Sequence, residues 1–349
     1  MAKKVLISGA GVAGSALAYW LHHHGFDVTL VERAPSPRST GYAVDFRGRA
    51  LDVLEQMGIL DEVRGHETKM TGTTLVGAEG QQVGELPAEA FAGDLEVRKD
   101  DLTGILYRLT QGIAEYVFDD SISSATQDDS GVHVTFQRGP QRTFDFLVGA
   151  DGVYSDVRKL VFAPHAKCVQ HLGMSGVGFT TANDLDLDHR GLLCSAPGKA
   201  VYVFSAADAD RMTVSLSFAT ESAAFDRWDR PEQEKLTNER FANDGWIVPR
   251  LLADMSAATD FYAASACQVV LTPWAEGRVV LAGDAAHCAA PTSGMGTSQA
   301  LIGARLLAER LATTPDDHRR AFEEYESELR PYVEQNQALG REAVKMLGG

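Results

Sequence analysis

The fold is decided by Lys4-Val-Leu-Ile-Ser-Gly-Ala-Gly-Val-Ala-Gly14, an apolar run that leads directly into a glycine-rich turn. The apolar run is typical of a buried parallel strand, and residues 13–24 favour a helix, so the glycines fall between strand and helix. Gly9 permits the tight turn, Gly11 lets the backbone approach a pyrophosphate, and Gly14 lets the helix pack closely on the strand. The helix N-terminus then faces the phosphates. The stretch therefore predicts a unit that binds a dinucleotide.

A second predicted strand, Asp27-Val-Thr-Leu-Val31, ends in Glu32, 18 residues past Gly14. An acid at this distance accepts hydrogen bonds from the two hydroxyls of a nucleotide ribose. A 2′-phosphate at the same place would bring two negative charges together in a dry crevice. The nucleotide bound by this turn is therefore expected to be FAD or NAD, and not NADP.

A later segment, Gly283-Asp284, follows a buried-looking strand and precedes Gly294-Met-Gly296 and a helix. Asp284 at a strand end can accept hydrogen bonds from the ribityl hydroxyls of a flavin, which NAD lacks. Gly294 and Gly296 allow the backbone to lie against a flat ring. The N-terminus of the next helix would stabilise the negative charge that reduction places on that ring. The segment favours FAD and disfavours a plain NAD dehydrogenase.

Pattern shifts along the chain predict a nucleotide domain that is interrupted by a substrate domain. The FAD-binding part, 1–168, is expected to hold helices at 48–57 and 100–110 and strands at 73–76, 82–86, 132–137 and 144–148. Residues 169–272 alternate with period two, as in a half-exposed sheet, at 177–181, 200–205 and 212–218. Residues 273–349 return to the first sheet at 278–282 and continue as helices at 297–312 and 316–346. The predicted fold class is α/β: a Rossmann-like FAD-binding domain with an interleaved β-sheet substrate domain and C-terminal helices.

The composition excludes several other classes of protein. A net charge of −16 disfavours binding to nucleic acid and to anionic membranes. No apolar run approaches the roughly 20 residues that span a bilayer. The sequence enters a core strand directly after Met1-Ala-Lys-Lys4, which leaves no room for a signal peptide. We therefore expect a cytoplasmic enzyme, either a monomer or a homodimer.

The cysteines and histidines give no metal pattern. Cys168, Cys194, Cys267 and Cys288 are widely spaced and are expected to be buried thiols. Cys288 lies just after Gly283-Asp284, so a covalent flavin link or a redox role stays open for it. The three histidines at 22–24 would point in different directions from a helix and cannot converge on one ion.

At this point the chain resembles the class A FAD-dependent aromatic monooxygenases, which are similar to para-hydroxybenzoate hydroxylase, and among them the branch of tetracycline-inactivating monooxygenases. The resemblance covers nearly the whole chain. It rests on the glycine turn at 9–14, Glu32-Arg33, Arg98 in Glu96-Val-Arg-Lys-Asp-Asp-Leu102, Asp151-Gly152 with Arg158, and Gly283-Asp284 with Pro291.

The resemblance implies bound FAD, NADPH or NADH as a transient reductant, and an aromatic small molecule and O2 as substrates. In this family NAD(P)H reduces the flavin, O2 adds at the flavin C4a position, and the hydroperoxide delivers one oxygen atom to an electron-rich substrate. Arg98 is implied to contact FAD, Asp151-Gly152 to serve FAD and nicotinamide, and Asp284 to hold the ribityl chain. The expected FAD contacts are Gly9, Gly11, Val12, Ala13, Gly14, Glu32, Arg33, Arg98, Asp151, Asp284, Pro291, Gly294, Met295 and Gly296.

Two positions depart from the family pattern. The family loop usually ends Gly-x-Gly-x-Asn, whereas Gly294-Met-Gly-Thr-Ser298 carries hydroxyls where an amide is expected. Gly303 replaces an acidic residue of the following helix. Backbone contacts to the flavin ring survive these changes, but a side-chain amide contact does not.

No second GxGxxG motif exists for the nicotinamide, so it is expected to visit transiently. Arg47, Arg49 and Arg158 are the candidate contacts, and a salt-bridged surface arginine is the alternative for the first two. Glu32 does not decide between NADH and NADPH.

The substrate candidates come from alternation in the predicted middle sheet. Tyr202 and Phe204 share one strand face, and Phe218 lies on a face of the next strand. With Phe179, Phe225 and Met295 they could line a flat apolar pocket, ordinary core packing being the alternative for each.

Asp45, in Val44-Asp-Phe46, matches an acid of the tetracycline-modifying branch and is the one catalytic candidate. The favoured hypothesis is a FAD-dependent monooxygenase that hydroxylates an aromatic or polycyclic molecule. A flavin-dependent dehydrogenase or oxidase would share every FAD motif but transfer no oxygen. A FAD-binding homologue without catalysis is the third possibility.

Overall fold

The computed structural model describes residues 2–37, 43–88, 93–206, 210–221 and 223–346. The strands are β1 (Lys4–Ser8), β2 (Asp27–Glu32), β3 (Ala43–Phe46), β4 (Gly72–Val76), β5 (Gln82–Leu86), β6 (Leu95–Arg98), β7 (Glu115–Phe118), β8 (Ile122–Asp128), β9 (Gly131–Phe136), β10 (Arg142–Phe144), β11 (Phe146–Gly149), β12 (Val169–Ala182), β13 (Arg190–Ala196), β14 (Lys199–Ser205), β15 (Arg211–Ala219), β16 (Tyr262–Val269), β17 (Ala275–Glu276) and β18 (Val279–Leu281). The helices are α1 (Val12–His23), α2 (Arg49–Gln56), α3 (Leu60–Arg64), α4 (Lys99–Thr110), α5 (Asp156–Val161), α6 (His165–Cys168), α7 (Arg230–Phe241), α8 (Val248–Ala257), α9 (Asp284–His287), α10 (Gly296–Thr313) and α11 (His318–Met346). Two 3-10 turns lie at Phe225–Arg227 and Pro291–Ser293.

A six-stranded sheet forms the nucleotide half, in the order β17-β18-β11-β1-β2-β7. All neighbouring pairs except β17 and β18 are parallel. Its strands are apolar and buried on both faces, which is what a parallel sheet covered by helices requires. The predicted α/β class is confirmed.

The order of this sheet brings the three sequence motifs together. β18, β11 and β1 are direct neighbours, with Ser8 opposite Gly149 and Gly149 opposite Leu281. The glycine turn, the Asp151-Gly152 segment and Gly283-Asp284 each follow one of these strands. Because carboxyl ends of parallel strands share one edge, all three motifs meet there, as ligand sites in open α/β sheets do.

A seven-stranded sheet forms the other half, in the order β16-β12-β15-β14-β13-β4-β5. Its pairs are antiparallel except β13 with β4. One face is covered by α7 and α8 over an apolar cluster. β4 and β5 come from residues 72–86, so this sheet draws strands from the stretch that the sequence assigns to the FAD domain. The domain bounds 1–168, 169–272 and 273–349 stay a prediction.

The sequence-based prediction did not include the helices α7 and α8. α7 is mostly polar and shows almost no apolar stripe, whereas α8 carries one. A local signal was nevertheless present. Asp229 accepts from Glu232 N at 3.0 Å as an N-cap, and Pro231 follows in the first turn.

Two long helices complete the nucleotide half close to where they were predicted. α10 packs between α1 and α11, and most of its residues are buried. Gly303 explains part of this close packing, because a Cβ there would lie 3.0 Å from Leu329 on α11. No helix in the described part of the chain is long and apolar enough to cross a membrane.

Candidate active site

The glycine turn is built from two glycines that the protein itself requires. Gly9 has φ +103°, and a Cβ there would lie 2.6 Å from the carbonyl oxygen of Ala150. Gly14 lies so close to the strand that a Cβ would collide with the carbonyl oxygen of Gly9. These positions are glycine because of protein packing. Gly9 lets the first motif lie against the Asp151 segment, and Gly14 lets the helix lie against the turn.

Gly11 is different because the protein does not require it. Its backbone is extended, with φ −80° and ψ −167°, a conformation open to any residue. A Cβ there would meet no atom within 4 Å. The adjoining helix, with Val12 and Ala13 in its first turn, has neither an acidic side chain in that turn nor a side-chain cap. The free space and the uncapped helix end fit the pyrophosphate of a dinucleotide.

Glu32 lies at the tip of this turn and is buried. Its carboxylate accepts from Ala10 N and from Ala34 N, both at 3.0 Å. The two bonds fix the acid between the glycine turn and the end of β2, where a nucleotide ribose is expected. Its neighbour Arg33 is exposed.

Asp151 joins β11 to α5. Its Oδ2 accepts from Asp156 N at 2.9 Å and from Val157 N at 3.1 Å. Its Oδ1 is buried and accepts no hydrogen bond from the described residues. Burial raises the pKa of this carboxyl. Asp151 packs against Gly9, so this unsatisfied oxygen leaves a hydrogen-bonding position open in the segment that adjoins the glycine turn.

Arg158 corrects a sequence hypothesis. The sequence makes it a candidate nicotinamide contact, but the side chain is fully buried. Its guanidinium donates to Ala285 O at 2.7 Å and to Val153 O at 2.5 Å. A visiting nicotinamide cannot reach a group enclosed in this way. Arg158 instead ties α5 to α9, and so links the Asp151 and Asp284 segments.

Asp284 lies on the third motif, at the start of α9. Gly283 precedes it with φ +58°, and a Cβ on Gly283 would lie 2.7 Å from that of Ala13. Asp284 is reached by solvent, yet burial raises the pKa of its carboxyl, with Lys99 acting in the opposite direction. The carboxyl is open to solvent at the edge where the three motifs meet, which suits a group that receives ligand hydroxyls.

The loop from Ala289 to Gly296 is held in a strained shape. Ala290 has φ +75°, which a residue with a side chain rarely adopts. Gln268 Nε2 donates to Ala289 O at 3.0 Å, and Thr292 Oγ1 donates to Gly340 O at 2.9 Å. A Cβ on Gly340 of α11 would collide with Ala289 O. The far end of α11 therefore clamps the loop that carries Pro291, Gly294 and Met295.

Gly340→Ala is expected to push this loop out of place and to lower the free energy of unfolding by about 1–3 kcal/mol, because overpacking against backbone costs that much. Thermal melting of the FAD-free protein and the absorbance spectrum of bound flavin measure the two effects. Leu339→Ala is the matched control, because Leu339 is the exposed neighbour on the same helix. Equal melting of both variants would contradict the clamp.

The hydroxyl that departs from the family pattern has a partner. Ser298 is fully buried, and its Oγ accepts from Arg47 N at 3.1 Å. The bond joins the end of β3 to the first turn of α10. The serine thus contributes a connection within the protein at the position where the family carries an amide.

A buried polar network behind α9 was missed in the sequence. Gln299 Nε2 donates to His287 Nδ1 at 2.8 Å, and His287 Nε2 lies 3.2 Å from Tyr325 Oη. Asn336 Nδ2 donates to Gln299 Oε1 at 2.9 Å, and Tyr325 donates to Leu281 O at 3.4 Å. Burial lowers the pKa of His287 to about 3, so the imidazole is neutral with its proton on Nε2. The only sequence signal was a histidine three residues after Asp284.

Cys288 lies in the same region and is a buried thiol. Its Sγ is 3.3 Å from Cys267 O, and all four cysteines are free. Burial raises the pKa of this thiol well above its ordinary value, which opposes the thiolate that a covalent flavin link or redox role needs. Among the described residues no group of side chains could hold a metal ion.

Asp45 lies beside the flavin loop predicted from the sequence. A Cβ on Gly294 would be 3.1 Å from Asp45 Oδ2. Arg47 Nε donates to the same oxygen at 2.9 Å. Burial raises the pKa of Asp45, and the Arg47 charge partly opposes this shift. Arg47 is therefore part of an ion pair, and Arg49 is exposed at the start of α2.

Arg98 is exposed at the end of β6 and is held by a bidentate pair. Its Nε and Nη2 donate to the Asp100 carboxylate at 3.0 and 2.8 Å. The hydrogen bond with Asp100 is the main cause that raises the pKa of Arg98. The guanidinium is thus oriented before any ligand arrives.

The aromatic substrate candidates divide between the two faces of the seven-stranded sheet. Phe179, Phe218 and Phe225 are almost fully buried in the cluster under α7 and α8, so they are core residues and the substrate hypothesis for them is wrong. Tyr202 and Phe204 lie on the opposite face, stacked with ring centroids 5.1 Å apart.

Tyr262 shares this second face and was missed in the sequence. It begins β16 opposite Gly178, and a Cβ on Gly178 would collide with its ring. Gly191 similarly lies under the ring of Tyr202, since a Cβ on Gly191 would be 2.6 Å from Cε2 of that ring. Glycines therefore allow two tyrosine rings to lie flat on the sheet. β16 begins with Tyr262-Ala-Ala-Ser-Ala266, and these small residues lack the β-branched pattern that predicts the other strands of this sheet.

Comparison with known proteins agrees with this site. Residues 2–339 match the family described as FAD binding domain. A flavin-dependent monooxygenase from an unknown prokaryotic organism is 39% identical over 97% of this chain and 88% of its own length. An uncharacterized protein of Mycobacterium tuberculosis (strain ATCC 25618 / H37Rv) is 41% identical over 97% of this chain and 92% of its own length.

Solved structures of relatives have the same fold. The tetracycline destructase Tet(55) superimposes with a TM-score of 0.90 at 38% identity, covering 98% of this chain and 89% of its own. The tetracycline destructase Tet(51) gives 0.89 at 33% identity, covering 99% and 92%. With the three motifs at one sheet edge and these relatives along nearly its whole length, the chain belongs to the family of FAD-dependent monooxygenases and is an enzyme that uses FAD, with the NAD(P)H typical of that family.

Proposed function

We propose that the enzyme hydroxylates a flat aromatic or polycyclic small molecule that binds on the open face of the seven-stranded sheet, defined here as the face bearing Tyr202, Phe204 and Tyr262. The observation that carries the proposal is the pair of tyrosine rings that lie over glycines. Such rings give a broad apolar surface for a planar substrate, and their hydroxyls give directional polar contacts.

The rest of the open face supports the same class of substrate. Thr213, Ser215 and Ser217 of β15 are on this face and partly accessible, because they alternate with the buried residues beneath the helices. A row of hydroxyls beside aromatic rings suits a molecule that carries phenol, enol or ketone groups along one edge.

We infer that FAD is held at the shared edge of β1, β11 and β18. Free space beside Gly11 supports a pyrophosphate contact, Glu32 a ribose contact, and the solvent-accessible carboxyl of Asp284 a ribityl contact. The roles of Gly9 and Gly14 toward FAD are indirect, since these residues shape the protein, and Arg158, expected from the sequence to contact the nicotinamide, also shapes the protein. Bound FAD supplies the capacity to take hydride from NAD(P)H and to activate O2.

The protein contributes orientation and charge stabilisation to this chemistry. α10 begins at Gly296, has no acidic residue in its first turn and extends to Thr313, so its positive end can stabilise negative charge on a ring beside Gly294. Met295 is buried next to these glycines and excludes water from that side.

Rapid mixing tests the function. The FAD-loaded protein, reduced by NADPH or NADH without oxygen, is expected to show a transient absorbance distinct from oxidised and reduced flavin when O2 is added. A tetracycline is the first compound to try, because the two structural relatives above are tetracycline destructases. Direct return to oxidised flavin with stoichiometric peroxide under every substrate tried would favour a dehydrogenase or oxidase.

Tyr202→Ala is expected to weaken substrate binding at least about tenfold, since a stacked aromatic contact and its area are lost, while FAD binding stays unchanged. Fluorescence titration with the accepted substrate measures substrate binding, and fluorescence titration with FAD measures cofactor binding. Val83→Ala on the exposed edge of the same sheet is the control. Unchanged affinity in Tyr202→Ala would place the substrate elsewhere.

A further inference from the structure

Two carboxyl side chains lie side by side on the two-stranded antiparallel sheet of β3 and β6. Asp45 is directly opposite Glu96 in this antiparallel pair, which brings their Cβ atoms to about 5 Å. Both side chains are partly buried. Burial raises the pKa of Glu96, Thr68 opposes the shift, and the nearby charge of Asp45 adds to it. Neighbouring carboxyls with raised pKa values are typical of sites that hold or move a proton.

The two carboxyls have different partners. Asp45 forms an ion pair with Arg47. Glu96 makes no ion pair with any described residue, and its Oε1 accepts from Thr68 Oγ1 at 2.8 Å. Thr68 is itself fixed, because its N donates to Glu96 O at 2.9 Å and its carbonyl accepts from His189 Nδ1 at 2.7 Å. The Glu96 carboxyl is therefore oriented through one oxygen.

The pair also has a defined place between the two halves of the site. Asp45 lies against the flavin loop at Gly294. On the other side, Glu96 lies near enough to the open face that its charge helps to raise the pKa of Tyr202 to about 12, burial being the larger cause. Glu96 also lines a cavity of about 390 Å³ together with Thr68, Met70 and Leu95. Glu96 is thus joined to the flavin loop through its strand partner Asp45, and it lies within electrostatic range of Tyr202 on the open face.

Resting on the proposed function, we propose that Glu96 is a catalytic residue that accepts the proton of a phenol or enol hydroxyl on the substrate, with Asp45 and Arg47 as positioning residues. The substrate O–H bond breaks, an O–H bond forms on a Glu96 oxygen, and the electron pair stays on the substrate oxygen. The resulting phenolate or enolate is more electron-rich at the carbon that receives oxygen. The step needs no further oxidant or reductant.

The electrostatic surroundings of Glu96 define its pH dependence. The charged and titratable groups nearby are Asp45, Arg47, Glu67, Lys69, Asp94, His189 and Tyr202. Because the pKa of Glu96 is raised, the accepting carboxylate is lost as the pH falls through that raised value. The acid limb of the rate profile is therefore expected to lie above the ordinary range of a glutamate.

The test uses the oxidised, FAD-loaded enzyme and a dihydroxyanthraquinone, whose visible absorbance reports ionisation of its hydroxyl. In the native enzyme the bound probe is expected to ionise at higher pH than in water, because the nearby Glu96 carboxylate opposes a second negative charge. Glu96→Gln is expected to abolish this shift, to cut the hydroxylation rate about 100-fold, and to remove the acid limb. Glu96→Asp is expected to recover part of the shift. Glu85→Gln, on the exposed β5, is the matched control.

Two outcomes would overturn the assignment in different ways. If Glu96→Gln binds the probe with the native affinity and the native ionisation, Glu96 is not the proton acceptor although the substrate face stands. If the native enzyme binds the probe without any change in ionisation, while Tyr202→Ala still loses binding, the proton step is wrong and the binding face is right. If Tyr202→Ala binds the probe as tightly as the native enzyme does, the proposed function itself is contradicted.

Discussion

Gly11→Ala is expected to lose FAD almost completely while the protein remains folded. The new methyl group enters space that no protein atom occupies, in a backbone conformation that alanine accepts. The same space is the expected position of the pyrophosphate, so the ligand is the only partner that the methyl group meets. We expect FAD to bind at least about 100-fold more weakly, which corresponds to about 2.7 kcal/mol. Flavin fluorescence during titration of the FAD-free protein measures the affinity.

Gly14→Ala is the contrasting variant within the same motif. Its methyl group would collide with the carbonyl oxygen of Gly9, so this change is expected to lower the melting temperature of the FAD-free protein. Gly11→Ala is expected to melt within the error of the native chain. Native FAD affinity in a folded Gly11→Ala protein would remove the pyrophosphate from this turn.

Asp284→Ala is expected to weaken FAD binding and, at neutral pH, to stabilise the FAD-free protein. A carboxylate that accepts hydrogen bonds from ligand hydroxyls contributes about 2 kcal/mol, so the loss is roughly 30-fold in affinity. The stability effect has the opposite sign because burial raises the pKa of Asp284 in the folded state, and it is expected to be small because solvent reaches this carboxyl. The folded protein then resists ionising this group, and stability falls as the pH rises through the raised pKa.

The measurement is chemical unfolding of the FAD-free native and Asp284→Ala proteins between about pH 4 and pH 8, which brackets a raised carboxyl pKa. The native protein is expected to lose stability across the raised pKa, and the variant to lose less. Asp61→Ala, an exposed residue of α3, is the control and is expected to change neither quantity. A variant that is less stable than the native protein at every pH would show that Asp284 supports the fold, which contradicts its assignment to the ligand.

The sequence predicted the nucleotide half well because its signals are local. Each of the three motifs combines a buried apolar strand with a turn that contains glycine and so can be recognised from the sequence alone. Once Gly9, Asp151 and Asp284 are placed at strand ends, the parallel order of the sheet is enough to bring them together. The positions of α10 and α11 follow from the same kind of local pattern.

The substrate half was harder to predict because its faces are decided by helices that the alternation of the strands does not reveal. α7 and α8 cover one side of the sheet and turn Phe179, Phe218 and Phe225 into core. Without these helices, alternation alone cannot say which face stays open. The roles of Glu96 and Gly340 could not be predicted for a similar reason. Each residue meets a partner that is distant in the sequence, Asp45 for Glu96 and Ala289 for Gly340.

The arrangement of β11 and β18 has a consequence for how such enzymes diversify. Gly149 and Leu281 are neighbours in the sheet, although the chain between them builds most of the seven-stranded sheet. An insertion or exchange in that excursion beyond Arg158 leaves the three motifs in place at their strand ends. The specificity of a chain like this one can therefore change by replacement of a contiguous segment, and chimeras joined after Arg158 and before β18 are expected to retain their flavin.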